Sequence, residues 1–154
     1  KAHIPSDETQ RFSPGESLGP VFDTTAGKLA VALGYDRHFE GVVRTLSRAG
    51  ADIVFCPGAS SGAKARLLWE HEFLTDAARH RVFIGGSNRS GVEKPFPQDY
   101  FGGSFFAGPD GLKLANLSQH PNLIVSDLDI EALRRPDPSG WDLKSHERPD
   151  IYSR

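Results

Sequence analysis

The sequence predicts an α/β fold: a largely parallel sheet with helices packed on it in the first half, then a β meander. Three observations carry this reading. Short apolar runs at 28–33, 51–55 and 81–86 alternate with two segments of helical spacing at 39–48 and 63–80, the strand–helix–strand rhythm of a parallel sheet. The stretches that follow those runs, at 34–38, 56–58 and 87–89, are polar, and in open α/β sheets the chemistry gathers at the carboxyl ends of the strands. After Gly91 the helical spacing stops and apolar runs are separated by turn residues alone.

Each element follows from local chemistry. Residues 1–18 are polar and end in Phe12-Ser13-Pro14-Gly15, a loop. A short strand at 20–24 turns through Thr25-Ala26-Gly27 into a second at 28–33, whose small residues point to burial on both faces. The segment 39–48 is helical, with Val42, Val43 and Leu46 on one side and Gly50 placed to cap its end. A buried strand at 51–55 stops at Pro57-Gly58. The longest helix, 63–80, carries an apolar stripe of Leu67, Trp69, Phe73, Leu74, Ala77 and Ala78. Both helices are expected on one outer face of the strands that lead to Gly34 and Cys56. The loop at 94–99 holds two prolines, and strands are expected at 100–107, 112–117 and 123–128. Gly108-Pro109-Asp110-Gly111 is a hairpin signal between the first two. A short helix at 130–135 closes a domain of residues 1–135. The polar tail 136–154 is expected to pack on a neighbouring surface or subunit.

Composition narrows the function classes. Lys plus Arg is 18 and Asp plus Glu 20, for a net charge of −2 over 154 residues. That balance argues against nucleic acid as a partner and against a polybasic membrane contact. No apolar run is long enough to span a bilayer. Cys56 is the single cysteine, which excludes an intrachain disulfide and a four-thiolate zinc site and fits a reducing, cytoplasmic setting. His3, His71 and His80 lack the spacing of a helical metal site, so structural or surface roles are expected. The sequence holds no Met and opens at Lys1 without an initiator or leader, and is expected to be the later part of something longer.

Several stretches are recognisable by their order. They are Lys1-Ala2-His3-Ile4-Pro5, then Glu8 to Gly15 as E-x-x-x-F-x-P-G, then Gly34 to Phe39. Arg44-Thr45-Leu46 leads to Gly50-Ala51-Asp52-Ile53, and Asn88-Arg89-Ser90-Gly91 follows the long helix. Gly103-Ser104, Pro109-Asp110-Gly111, Asp127-Leu128-Asp129 and Arg148-Pro149 with Tyr152 complete the series. In this order and spacing the sequence resembles the nitrilase, or carbon–nitrogen hydrolase, superfamily over nearly its whole length.

The resemblance implies an α-β-β-α sandwich, incomplete in this chain, that usually pairs into homo-oligomers. Its N-terminal part is expected on the same or a separate chain. It also implies hydrolysis of a non-peptide C–N bond in an amide, an N-carbamoyl compound or a nitrile, with no metal or organic cofactor. The family uses a Glu–Lys–Cys triad and a second Glu: Cys attacks, Glu moves the proton, Lys stabilises the developing charge, and water cleaves the thioester. Carried over by position, Lys1 falls on the catalytic lysine and Glu8 on the second glutamate, while the first glutamate belongs before residue 1. The nucleophile position is Gly34. Glu40 and Gly41 also depart from the family's Pro and Glu. Tyr35, Arg37 and His38 fall where substrate is bound, and an Arg37 fork suits a carboxylate; a salt bridge from Arg37 to Asp36 is the structural alternative. Cys56, at a neighbouring strand end, is either a replacement nucleophile or a small buried hydrophobe.

Two functions follow. One is an amide or N-carbamoyl hydrolase, inactive in this chain because glycine has no side chain to attack with. The other is a non-catalytic binding or assembly subunit that keeps the pocket for a small amide, N-carbamoyl or carboxylate ligand. Loss of the nucleophile favours the second, and retention of Lys1 and Glu8 favours the first.

Overall fold

A five-stranded mixed sheet in the order β1-β2-β3-β4-β7 is the centre of the molecule, seen in a computed structural model that describes residues 1–95 and 97–151. Its strands are β1 (Phe22–Thr24), β2 (Gly27–Val31), β3 (Ile53–Gly58), β4 (Phe83–Asn88) and β7 (Phe105–Ala107). The three middle strands are parallel, with Ala30 opposite Val54 and Val54 opposite Ile84. The edge strands β1 and β7 run antiparallel to their neighbours. Helices α1 (Glu40–Arg48) and α2 (Ala63–His80) are the two crossovers of this parallel unit.

Both helices lie on one face of the sheet. Ala30, Val54, Cys56 and Ile84 of the strands share a core with Val42, Leu46, Trp69, Phe73 and Ala77 of the helices. The fit is close at Gly86, where a Cβ would come within 2.5 Å of the Phe73 ring; glycine lets helix and sheet approach there. The opposite face is only partly covered. Val31 is 41% and Leu33 40% exposed, and only Ala30 of β2 is buried. Burial of the second strand on both faces is therefore not what this chain builds.

Other expectations change for physical reasons. The strand expected to stop at Pro57 continues to Gly58, paired with Asn88 of β4. The Phe55 carbonyl accepts from Ala32 on the β2 side, so Pro57, two residues on, turns its missing donor toward a place β2 has already left. The expected strand at 100–107 is split by Gly102 and Gly103, at φ +62° and +71°. Its first part, β6 (Asp99–Phe101), pairs instead with β5 (Ser90–Val92), a strand whose Ser-Gly start hides it from propensity. The turn at 108–111 forms, with the Gly111 amide donating to the Gly108 carbonyl at 2.9 Å. The strands expected at 112–117 and 123–128 do not: one bridge joins Ala107 to Lys113. Beyond it, a single backbone bond runs from the Leu117 amide to the Val125 carbonyl at 2.7 Å. Asn116 Oδ1 accepts the amides of Ser118 and Val125 at 3.0 Å each, so a side chain does much of what a ladder would do.

On α2, Leu67 is 64% exposed and Ala78 also faces out, while Asp76 and His80 join Trp69, Phe73 and Ala77 on the buried side. A 3-10 helix at Ile130–Arg134 matches the short helix expected there. The tail returns to its own chain, where Glu147 meets Arg44 at 3.4 Å and Arg48 at 2.7 Å on α1. Tyr152 lies outside the described residues.

Candidate active site

At the end of β2 the chain turns sharply into a 3-10 helix, Gly34–His38. Gly34 opens that turn at φ +41°. A strand-to-helix corner of this kind holds its first residue out over the strand ends, the geometry a nucleophile needs. A Cβ at position 34 would find its nearest neighbours at 3.7 Å (the Pro57 carbonyl oxygen) and 3.8 Å (Gly58 Cα). The corner has space for a Cβ, at the cost of the strain that a left-handed backbone imposes on any residue but glycine, and it carries none.

Lys1 and Glu8 come to the same cleft from the N-terminal loop. Lys1 Nζ donates to Glu8 Oε1 at 2.9 Å and to Oε2 at 2.7 Å. This loop is fastened to the corner by Asp36, a residue that sequence reading treated only as a possible partner for Arg37. Asp36 is buried and accepts the His3 amide at 2.8 Å, the Ala2 amide at 3.3 Å and His3 Nδ1 at 2.9 Å. The His3 ring also stacks on Phe39 at 3.7 Å. One aspartate thereby sets the distance between the lysine loop and position 34.

Lys1, Glu8, Gly34, Tyr35 and His38 line a cleft of about 470 Å³, closed on its far side by Pro57, Gly58 and Ser60. Asn88 holds that far side in place. Its Oδ1 accepts the Ser60 amide at 2.7 Å, and its Nδ2 donates to the carbonyls of Ser60 and Gly102 at 3.2 and 3.0 Å. The signal for Asn88 was its place at a polar strand end.

Arg37 also lines the cleft but is only 3% exposed. Its Nη1 donates to the Gly34 carbonyl and to Ser60 Oγ, each at 3.1 Å, and its Nε lies 3.1 Å from Glu72 Oε2. The guanidinium lies over the Trp69 ring, 4.9 Å from its centroid. Its ion-pair partner is Glu72 of α2, not Asp36. Burial lowers the pKa of Arg37, with Glu72 opposing that shift. His38 Nδ1 meets the other oxygen of Glu72 at 2.6 Å.

Cys56 faces the helices and does not line the cleft. It is 1% exposed, and burial pushes its thiol up to about 12. A thiol held protonated in the core is no nucleophile, so Cys56 is the small hydrophobe. Among the other histidines, His80 is buried near Asp76 and His71 is exposed.

The corner at the end of a parallel strand thus faces an ion-paired lysine and glutamate across one cleft. The carbon–nitrogen hydrolase model matches residues 1–135, and the chain belongs to that family. It is 30% identical to a β-ureidopropionase of Arabidopsis thaliana over 99% of this chain and 42% of that protein. An N-carbamoylputrescine amidase of the same plant is 30% identical, with 99% and 56% covered. The crystal structure of a carbon–nitrogen hydrolase from Helicobacter pylori G27 superposes with a TM-score of 0.85 at 25% identity, covering 99% of this chain and 57% of that one. An amidase from Nesterenkonia sp. gives 0.79 at 25%, with 99% and 53% covered. The chain thus spans about half the length of the relatives it matches.

Proposed function

We propose that the cleft is an amide- or N-carbamoyl-recognising site of hydrolase ancestry that binds its ligand without turning it over. The observation that carries this reading is the side-chain-free corner at Gly34, set in one cleft with the Lys1–Glu8 pair. Relatives named for N-carbamoyl compounds support the ligand class. A variant of the Nesterenkonia amidase, 26% identical to this chain, takes up acrylamide at its active-site cysteine, which supports a thiol as the group this family employs. In such a site Lys1 faces the oxygen that becomes negative, Glu8 holds Lys1 in place, and Tyr35 and His38 border the ligand. Attack on the carbonyl carbon has no atom to begin it. The open sheet face at Val31 and Leu33 is, in this reading, covered by the rest of the sandwich, from the same polypeptide or a separate chain.

Gly34→Cys tests the proposal. An accessible thiol of ordinary pKa near 8.5 is ionised at pH 7.5 roughly a thousandfold more than one near 12, so iodoacetamide should label position 34 at least about a thousandfold faster than Cys56. In a polypeptide that also carries the family's first glutamate, the same substitution should release ammonia from 3-ureidopropionamide. A position-34 thiol as inert as Cys56, or a labelled thiol without any hydrolysis, would sink the reading.

A further inference from the structure

The cleft borders two cations, and both already have carboxylate partners. Lys1 is held by both oxygens of Glu8. Arg37 has a side chain 2% exposed, and each of its nitrogens is either bonded or sealed: Nη1 holds the Gly34 carbonyl and Ser60 Oγ, Nε faces Glu72, and Nη2 is buried without a partner. Arg37 lines the cleft, yet its guanidinium has no free nitrogen to offer a ligand carboxylate while Glu72 and Ser60 hold it. Glu72 is itself fixed from two sides, by Arg37 at 3.1 Å and by His38 at 2.6 Å. Asp7, exposed and lining the same cleft, adds a further negative charge there.

We propose that Glu72 determines the ligand class of the cleft: by enclosing Arg37 it makes the arginine a strut for the position-34 turn and reserves the cleft for ligands without a carboxylate beside the amide or ureide group. The proposal rests on the reading of the cleft as an amide or N-carbamoyl site. It assigns Arg37 and Glu72 as positioning residues and Glu72 as the one that sets specificity. A buried guanidinium with a fixed carboxylate has no net charge left to offer a second carboxylate, and a carboxylate placed near the pair must meet Glu72 in low dielectric.

Calorimetric titration with two probes that differ in one group, 3-ureidopropionamide and 3-ureidopropionate, decides it. The unsubstituted protein should bind the neutral probe at least about fivefold more tightly. Glu72→Gln, which keeps the side chain's shape but removes its negative charge and leaves that of Arg37 uncompensated, should tighten the carboxylate probe alone by about tenfold. A purely structural Glu72 would weaken both probes together. Preference for the carboxylate probe in the unsubstituted protein, lost in Arg37→Gln, would overturn the proposal, and that comparison stands even if Glu72→Gln does not fold. Binding of neither probe would overturn the amide-site reading itself, and this inference with it.

Discussion

Two ion pairs flank the corner at Gly34, and they are built differently. Lys1–Glu8 joins two residues of one surface loop at 2.7 Å, with side chains 23% and 36% exposed. Arg37–Glu72 joins the 3-10 turn to α2 at 3.1 Å, with side chains 2% and 20% exposed. Water can replace either partner of the first pair, so it is free to be rearranged by a ligand at little cost. The second pair has no such substitute, because removing one member strands the other in the interior. The cleft therefore has a responsive wall and a rigid one, and the rigid one carries the turn that presents position 34.

The strongest way to break this contrast is to remove one member of the buried pair. Arg37→Ala should lower unfolding stability by about 3–5 kcal/mol, seen as a drop in urea midpoint without a change in slope. A loss under about 1 kcal/mol would mean that the interior pair is as replaceable as the surface one.

A second test reaches deeper along α2. Burial pushes the Asp76 carboxyl up to about 6 and the His80 ring down to about 4. From pH 6.5 down to 4 the unfolded chain protonates His80 while the folded one resists, so this group makes stability fall on acidification. Asp76 acts in the opposite sense: between its ordinary value near 4 and about 6 the folded state holds the proton that the unfolded state has released, so stability falls as pH rises. The two contributions oppose each other in the intact protein. Asp76→Asn should uncover the histidine alone, giving a loss on the order of 3 kcal/mol as pH drops from 6.5 to 4. His80→Gln should reverse the slope. Denaturant midpoints at several pH values measure both, and a flat profile in each variant would refute the assignment.

The smallest effect belongs to the surface pair. Lys1→Ala should change stability by no more than about 1 kcal/mol while weakening 3-ureidopropionamide in calorimetry. A large stability loss would erase the distinction between the two walls.

Much of the strand–helix alternation was readable from periodicity, because burial against a sheet leaves a period in the sequence. The 63–80 helix and the paired strands that lead to Gly34 and Cys56 are of this kind. Lys1, Glu8 and Gly34 were readable because motif order places them, and the structure brings all three to one cleft. What periodicity missed lies where side chains replace backbone pairing, as at Asn116, or where glycines at positive φ break a run, as at Gly102 and Gly103. The sequence alone determined which residue types stand at the corner, and above all that position 34 has no side chain, since that is a matter of covalent identity. Only the tertiary structure decided which charges remain available. Asp36 took the His3 loop instead of Arg37, Arg37 took Glu72 from a helix 35 residues away, and Cys56 turned into the core. Partner choice among charges depends on distance and burial in the folded chain, and one-dimensional spacing records neither.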